Sequence, residues 1–210
     1  MPHLHKALTL CVTFMKQFTF ILSLLFNCLI SFGQNDSTKY FFSEIGMTIY
    51  VPKGFKLQDS KPAAEYLGAG LKPIIDSAII KQMTKDDPKT LLEVESSDKK
   101  NIMEIRLIPI TETLTQLMGD SIQYIETCKK MTIAAARQAS EQFDTVSSII
   151  KIDNLIFDKM FTISNIRGHK YHEGGYITKI GNYYLGIHMF FEEGEKGKRL
   201  MNIIETAKFH

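Results

Sequence analysis

The chain has 210 residues, with 25 Lys and Arg against 23 Asp and Glu, a formal charge of +2. That balance lacks the basic excess that phosphate binding requires and argues against a nucleic-acid binder, while 44% apolar and 23% charged residues indicate a globular chain, neither collagenous nor disordered. Three Cys are too few for a disulfide scaffold or a four-Cys zinc module.

The first 33 residues hold no acid and only two strong bases, Lys6 and Lys16. Phe18 to Ile30 is an apolar run, followed by Ser31-Phe32-Gly33 and then the polar Gln34-Asn35-Asp36-Ser37. A basic start, a short apolar core and small residues at −3 and −1 of a cut make a secretory signal peptide, with cleavage expected before Gln34. Met15-Lys16 is a second candidate start. An uncleaved anchor needs ~20 apolar residues, and this run is shorter and holds Thr19, Ser23 and Asn27. A lipoprotein acylated at Cys28 is the other rival, but Asn27 precedes that Cys where a small residue belongs. Removing the leader takes Lys6 and Lys16 with it and leaves 23 bases against 23 acids. It also leaves Cys128 as the one thiol, so the mature domain stands on its core, without an internal disulfide. Residues 34–39 read as a short polar linker and 40–210 as a single α/β domain.

Short strands are expected at Tyr40 to Phe42, Met47 to Val51 and Phe55 to Leu57, with Pro52-Lys53-Gly54 as a turn. Residues 58–73, with two Pro and two Gly, read as loop. Ile74, Ile75, Ala78, Ile79 and Met83 recur at helical spacing before Asp87-Pro88. A hairpin follows. Leu92 and Val94 point one way, Glu93 and Glu95 the other; Met103, Ile105 and Leu107 face in while Glu104 and Arg106 face out. Such alternation predicts a sheet with one wet face here. A long helical pattern runs from Thr113 to Gln142, with a candidate break at Gly119-Asp120 and Asp120 or Ser121 as cap. Its predicted inward stripe is Ile122, Ile125, Cys128, Thr132, Ala135, Ala136, Ala139 and Phe143. The last third is β-rich: Val146 to Ile152, Leu155 to Ile166, Tyr176 to Ile180, then Tyr183 to Phe191 after the two-residue turn Gly181-Asn182. Both faces of that last strand are largely apolar, which predicts a central strand. Glu195 to Ala207 closes the chain as an amphipathic helix.

The turn Val51-Pro52-Lys53-Gly54-Phe55, the hairpin Gly181-Asn182-Tyr183-Tyr184 and the closing segment Arg199-Leu200-Met201-Asn202-Ile203-Ile204 resemble PsbP-like domains, named for an extrinsic photosystem II subunit. Phe55 stands where those domains usually place Trp. The resemblance spans most of residues 40–209. It implies an α+β fold, mostly antiparallel sheet flanked by helices in an α/β/α sandwich. Members are mostly non-catalytic binding or accessory proteins, so the resemblance carries over no active site.

The densest polar cluster is His169-Lys170-Tyr171-His172-Glu173. His169, His172 and Glu173 are the candidate catalytic or zinc-binding residues; a loop that brought the two His together would leave His188 as a third ligand. Metalloprotease spacing puts two His at i, i+4 on a helix. Here they are three apart, and on a strand an odd separation points the rings to opposite faces. Cys128 is a candidate nucleophile, set against its place on the helix's apolar stripe. The mixed-sign run Glu192 to Arg199 reads as a solvated loop entering a helix, with binding of a cation or an acidic partner as the alternative. No nucleophile elbow, P-loop or dinucleotide Gly pattern occurs, and the sequence assigns no metal or cofactor. The leading expectation is a secreted or periplasmic, non-enzymatic binding or accessory domain for an unknown protein or small ligand, meeting a membrane only through an uncleaved leader. The alternatives are a metal-assisted hydrolase using the His/Glu cluster and an envelope-anchored structural protein.

Overall fold

Ten strands and three helices follow one another in the computed structural model, which describes residues 37–58, 88–140 and 142–210. The order is β1 (Ser37–Phe42), β2 (Met47–Pro52), β3 (Phe55–Leu57), β4 (Lys89–Ser96), β5 (Asn101–Pro109), α1 (Glu112–Met118), α2 (Ser121–Ala139), β6 (Phe143–Ile152), β7 (Leu155–Ile166), β8 (His169–Ile180), β9 (Tyr183–Glu192), α3 (Glu195–Glu205) and β10 (Lys208–Phe209). The leader, its candidate cleavage site and the helix expected at 74–83 lie outside the described residues. No helix among the described residues is long and apolar enough to cross a membrane.

Tight turns set the register of the large sheet. Asp153 joins β6 to β7 at φ 53°, Arg167 and Gly168 join β7 to β8 at 53° and 84°, and Gly181 joins β8 to β9 at 55°. These positive φ values match two-residue hairpin turns, whose twist suits paired strands. The result is a seven-stranded antiparallel sheet in the order β3-β4-β5-β9-β8-β7-β6. β9 is its fourth strand, paired with β5 on one side and β8 on the other. At Gly174 and Gly175, β8 passes so close to its neighbours that a Cβ would lie 2.1 Å from the Met160 carbonyl oxygen or 1.7 Å from that of Ile187. Only glycine fits there.

One face of this sheet carries the main core. Val94, Met103, Ile105, Leu107, Leu185, Ile187 and Met189 are buried against Leu200, Ile203 and Ile204 of α3. The same cluster takes in Met47, Ile49 and Val51 of β2 and Phe209 of β10. β1, β2 and β10 form a second, three-stranded sheet. The two-residue strand β10 was not foreseen, because so short a pairing leaves no periodicity. It is held by register, Phe209 opposite Met47, and by Asp153, whose carboxylate accepts from the Phe209 N–H at 2.8 Å. The opposite face carries α1 and α2 over a smaller cluster of Leu114, Met118, Tyr124 and Tyr184. The fold is therefore α+β, mostly antiparallel, with helices on both faces of the large sheet.

The pattern from Thr113 to Gln142 breaks into two helices at the expected Gly119-Asp120. α1 ends at Gly119, where φ is 79°, and α2 starts behind Asp120, which accepts from the Ile122 and Gln123 N–H groups in a capping box. Other expectations need correction. Ile122 does not join the inward stripe: it is 73% exposed, while Tyr124 is buried. Tyr124 is amphipathic and stacks on Tyr184, which turns the start of the helix away from the Ile122 register. Phe143 belongs to β6 rather than to the helix. β1 begins at Ser37, inside the segment expected as linker. The supposed wet face of β4 and β5 is not wet: Glu93 and Glu104 are each only 9% exposed.

Candidate functional site

Past Tyr184, on which Tyr124 of α2 stacks, the face of β9 turned toward α1 and α2 continues through Gly186, His188 and Phe190. On β5 their opposite residues are Arg106, Glu104 and Ile102. On β8 they are Ile177, Gly175 and Glu173. Glu93 of β4 stands opposite Glu104, and Thr162 of β7 opposite Glu173. Five neighbouring strands thus place a row of polar side chains across the middle of the sheet, where strands with two covered faces would be apolar.

The two ends of the row differ. Glu104 is buried and accepts from Arg106 Nε and, at 3.3 Å, from the Thr90 hydroxyl. The Arg106 and Glu104 side chains are 15% and 11% exposed, so opposite charges neutralise each other under cover. Toward β8 the face opens. Glu173 Oε1 lies 3.9 Å from His188 Nε2, and the two side chains are 37% and 56% exposed. Partial burial raises the Glu173 carboxyl above its usual range. The crowded sheet centre, then the Arg106 guanidinium, hold the His188 imidazole below its usual range. More than half of that side chain meets water, so solvent screening leaves the direction and reduces the size. Gly186 lies between the two ends, and a Cβ there would have no atom within 4 Å. Tyr171 stacks on Phe190 at 5.3 Å with planes 14° apart, forming an aromatic border. The arrangement is a half-open floor with one acid, one imidazole, an aromatic edge and free volume over a glycine.

The residues singled out in the sequence part company. His169 and His172 point to opposite faces, as their odd spacing on a strand requires. His169 Nδ1 lies 2.5 Å from Glu192 Oε1, and the same carboxylate meets Lys100 Nζ at 2.9 Å. His172 stacks on Phe191, ring centroids 4.7 Å apart. Burial, with Lys170 adding to it, keeps its imidazole below the usual range, although Glu193 opposes them. Only Glu173 of the three belongs to the floor, where it faces His188. Among the described residues no three His, Cys, Asp or Glu side chains gather as a metal would need. Cys128 packs beside the Tyr124–Tyr184 cluster, where burial pushes its thiol up to about 11. A thiol held protonated is a poor nucleophile. Acids and bases of the Glu192 to Arg199 run pair with Lys100, Lys170 and Asp98.

The sequence reading missed Gly186, Glu104 and Arg106 as parts of one site. A signal was present: a lone Gly inside the bulky strand Tyr183 to Phe191 marks a place where something approaches closely.

No protein-family model matches the chain, and no curated protein matches it. Among solved structures it is similar to a protein of Bacteroides thetaiotaomicron VPI-5482, at 12% identity over 78% of this chain with a TM-score of 0.37. The chain spans 45% of that protein's length. It is similar to the cyanobacterial PsbP of Synechocystis sp. PCC 6803, at 12% identity over 85% of this chain and 95% of the other, TM-score 0.36. It is also similar to LpqN, involved in cell envelope biogenesis of Mycobacterium tuberculosis, at 10% identity over 86% and 94%, TM-score 0.33. Likenesses of this degree assign neither ligand nor activity.

Proposed function

We propose that the chain is an exported, non-enzymatic binding domain whose ligand rests on the floor around Gly186, Glu173 and His188. The carrying observation is the free volume over Gly186 in a central strand, beside a half-exposed acid and imidazole. Open space over a glycine in a central strand, with a few polar groups and an aromatic border beside it, leaves room for a small ligand or a peptide and gives it groups to orient on. The acid-free leader supplies the export half of the reading. The protonated Cys128 thiol and the separated His169 and His172 favour binding over nucleophilic or metal chemistry.

A photo-reactive residue at position 188, introduced in the source cell, tests this. It yields one discrete adduct, and that adduct disappears in Gly186→Trp, whose side chain fills the floor. The same probe at Lys179, exposed on β8, gives none. Identical adducts at both positions, or none at 188, would remove the floor as the binding site.

A further inference from the structure

The seven-stranded sheet ends at β6, which pairs with β7 along its whole length. Among the described residues the N–H and C=O groups on its other side meet no backbone partner. This free edge is ten residues long, against three at β3, two at β10 and six at β1. Open edges are ordinarily guarded by brevity, Pro, a bulge or central charges, because they accept any further strand. β6 has no Pro or Gly, and its pairing runs from Phe143 opposite Ser164 to Ile152 opposite Leu155 without a shift. Every residue from Asp144 to Ile149 is exposed. The charges of the strand, Asp144 and Lys151, stand near its two ends.

Apolar side chains flank this edge on both faces. Val146 lies opposite Phe161 and Ile150 opposite Phe157, two residues of the main core, so they share the α3 face. Ile149 lies opposite Asp158, the partner of Lys129 on α2, so it shares the α2 face. Val146 is 46% and Ile149 73% exposed. An open ladder with apolar flanks takes a β-strand as its partner, and the sequence of β6 itself fits. A two-fold axis perpendicular to the sheet keeps each face on its own side, so even-numbered residues meet even and odd meet odd. With the axis at Ser148, Ser148 meets its own copy. Val146 then meets Ile150, Ser147 meets Ile149, Thr145 meets Lys151 and Asp144 meets Ile152. Small hydroxyl side chains sit at the axis, β-branched pairs flank it, and no charge meets its like.

We propose that two copies of the chain pair through β6, antiparallel about Ser148, and join their large sheets into one continuous sheet. A single strand pair is a small interface, so the dimer forms as concentration rises and parts on dilution.

Sedimentation equilibrium of the protein purified from its source cell tests the proposal. The mass rises from monomer toward dimer with concentration. Ser148→Lys and Ser148→Glu each set like charges across the axis, and each weakens the association roughly tenfold or more. An equal mixture of the two variants sets opposite charges there and recovers the wild-type association. Ser148 is exposed, so both variants keep the melting temperature of dilute wild type and unfolding does not explain the loss. Ser43→Lys, exposed in the β1–β2 turn, leaves the association unchanged. The proposal is overturned by a chain that stays monomeric at every concentration, as an edge reserved for a foreign strand would leave it. It is overturned as well by a dimer indifferent to both charges at position 148, or by a mixture that associates no better than either variant alone.

Discussion

Tyr124 of α2 lies face to face on Tyr184 of β9, with ring centroids 3.9 Å apart and planes 6° from parallel. The Tyr184 hydroxyl donates to Ser121 Oγ at 3.2 Å, so one pair fixes both the rotation of α2 and its position along the sheet. Tyr124→Ala removes a fully buried ring and is expected to cost ~3–5 kcal/mol. Tyr184→Phe loses one hydrogen bond and costs ~1 kcal/mol. Ile122→Ala, on the exposed flank, stays within ~0.5 kcal/mol. Urea melts of the three variants check this; a large loss from Ile122→Ala would restore the helix rotation expected from sequence.

β9 supplies the second test. Ile187 is 2% exposed in the fourth of seven strands, and its removal leaves a cavity beneath α3. Ile187→Ala is expected to cost ~2–5 kcal/mol, a large share of ordinary stability. Lys179→Ala, exposed on the paired strand, costs under ~0.5 kcal/mol. Similar small losses from both in denaturant melts would contradict the central place of β9.

Strand identity was legible where apolar periodicity and turn chemistry agreed. Gly181-Asn182 announced the β8–β9 hairpin, and two apolar faces announced a central strand. The face of β4 and β5 was misread for a physical reason. Alternation separates the two sides of a strand but does not say whether the polar side meets water. Glu104 and Arg106 are two residues apart on one face, and each supplies the counter-charge that lets the other be buried. The rotation of α2 was misread because hydropathy ranks Ile above Tyr, whereas a Tyr with a stacking partner buries more area. The floor depends on β5, β9 and β8 meeting side by side. His188 and Glu173 lie on the two arms of the β8–β9 hairpin, and their proximity follows from register rather than from any local motif.

Acidification should destabilise the fold through its histidines. His172 is held below the ordinary imidazole value of 6.5, so the unfolded chain takes up that proton first as pH falls through 6.5, and stability drops. His188 acts in the same direction. Glu173 opposes them: its carboxyl is raised, so its protonated form stabilises at low pH and that contribution is lost as pH rises through its folded value. Thermal melts across the mildly acid range should show a falling melting temperature, less so in His172→Phe, which keeps the stack on Phe191 without the titration. An acid-side decline of the same size in wild type and variant would mean that His172 is not held neutral.

Cys128 should resist thiol reagents in the native state. Burial keeps its thiol up to about 11, so little thiolate exists near neutral pH. Iodoacetamide should label it slowly in buffer and rapidly in guanidinium, as read by mass spectrometry. Rapid native labelling would show an activated thiol and reopen the nucleophile reading.

Native mass spectrometry of the protein isolated from its own cell envelope or medium tests the central claim most directly, because one spectrum reports both processing and occupancy. The predicted result is a chain beginning at Gln34 that carries a discrete bound component, with the same chain bare in Gly186→Trp. An uncut chain, or a component retained equally by wild type and Gly186→Trp, would contradict an exported domain that binds its ligand over Gly186, Glu173 and His188.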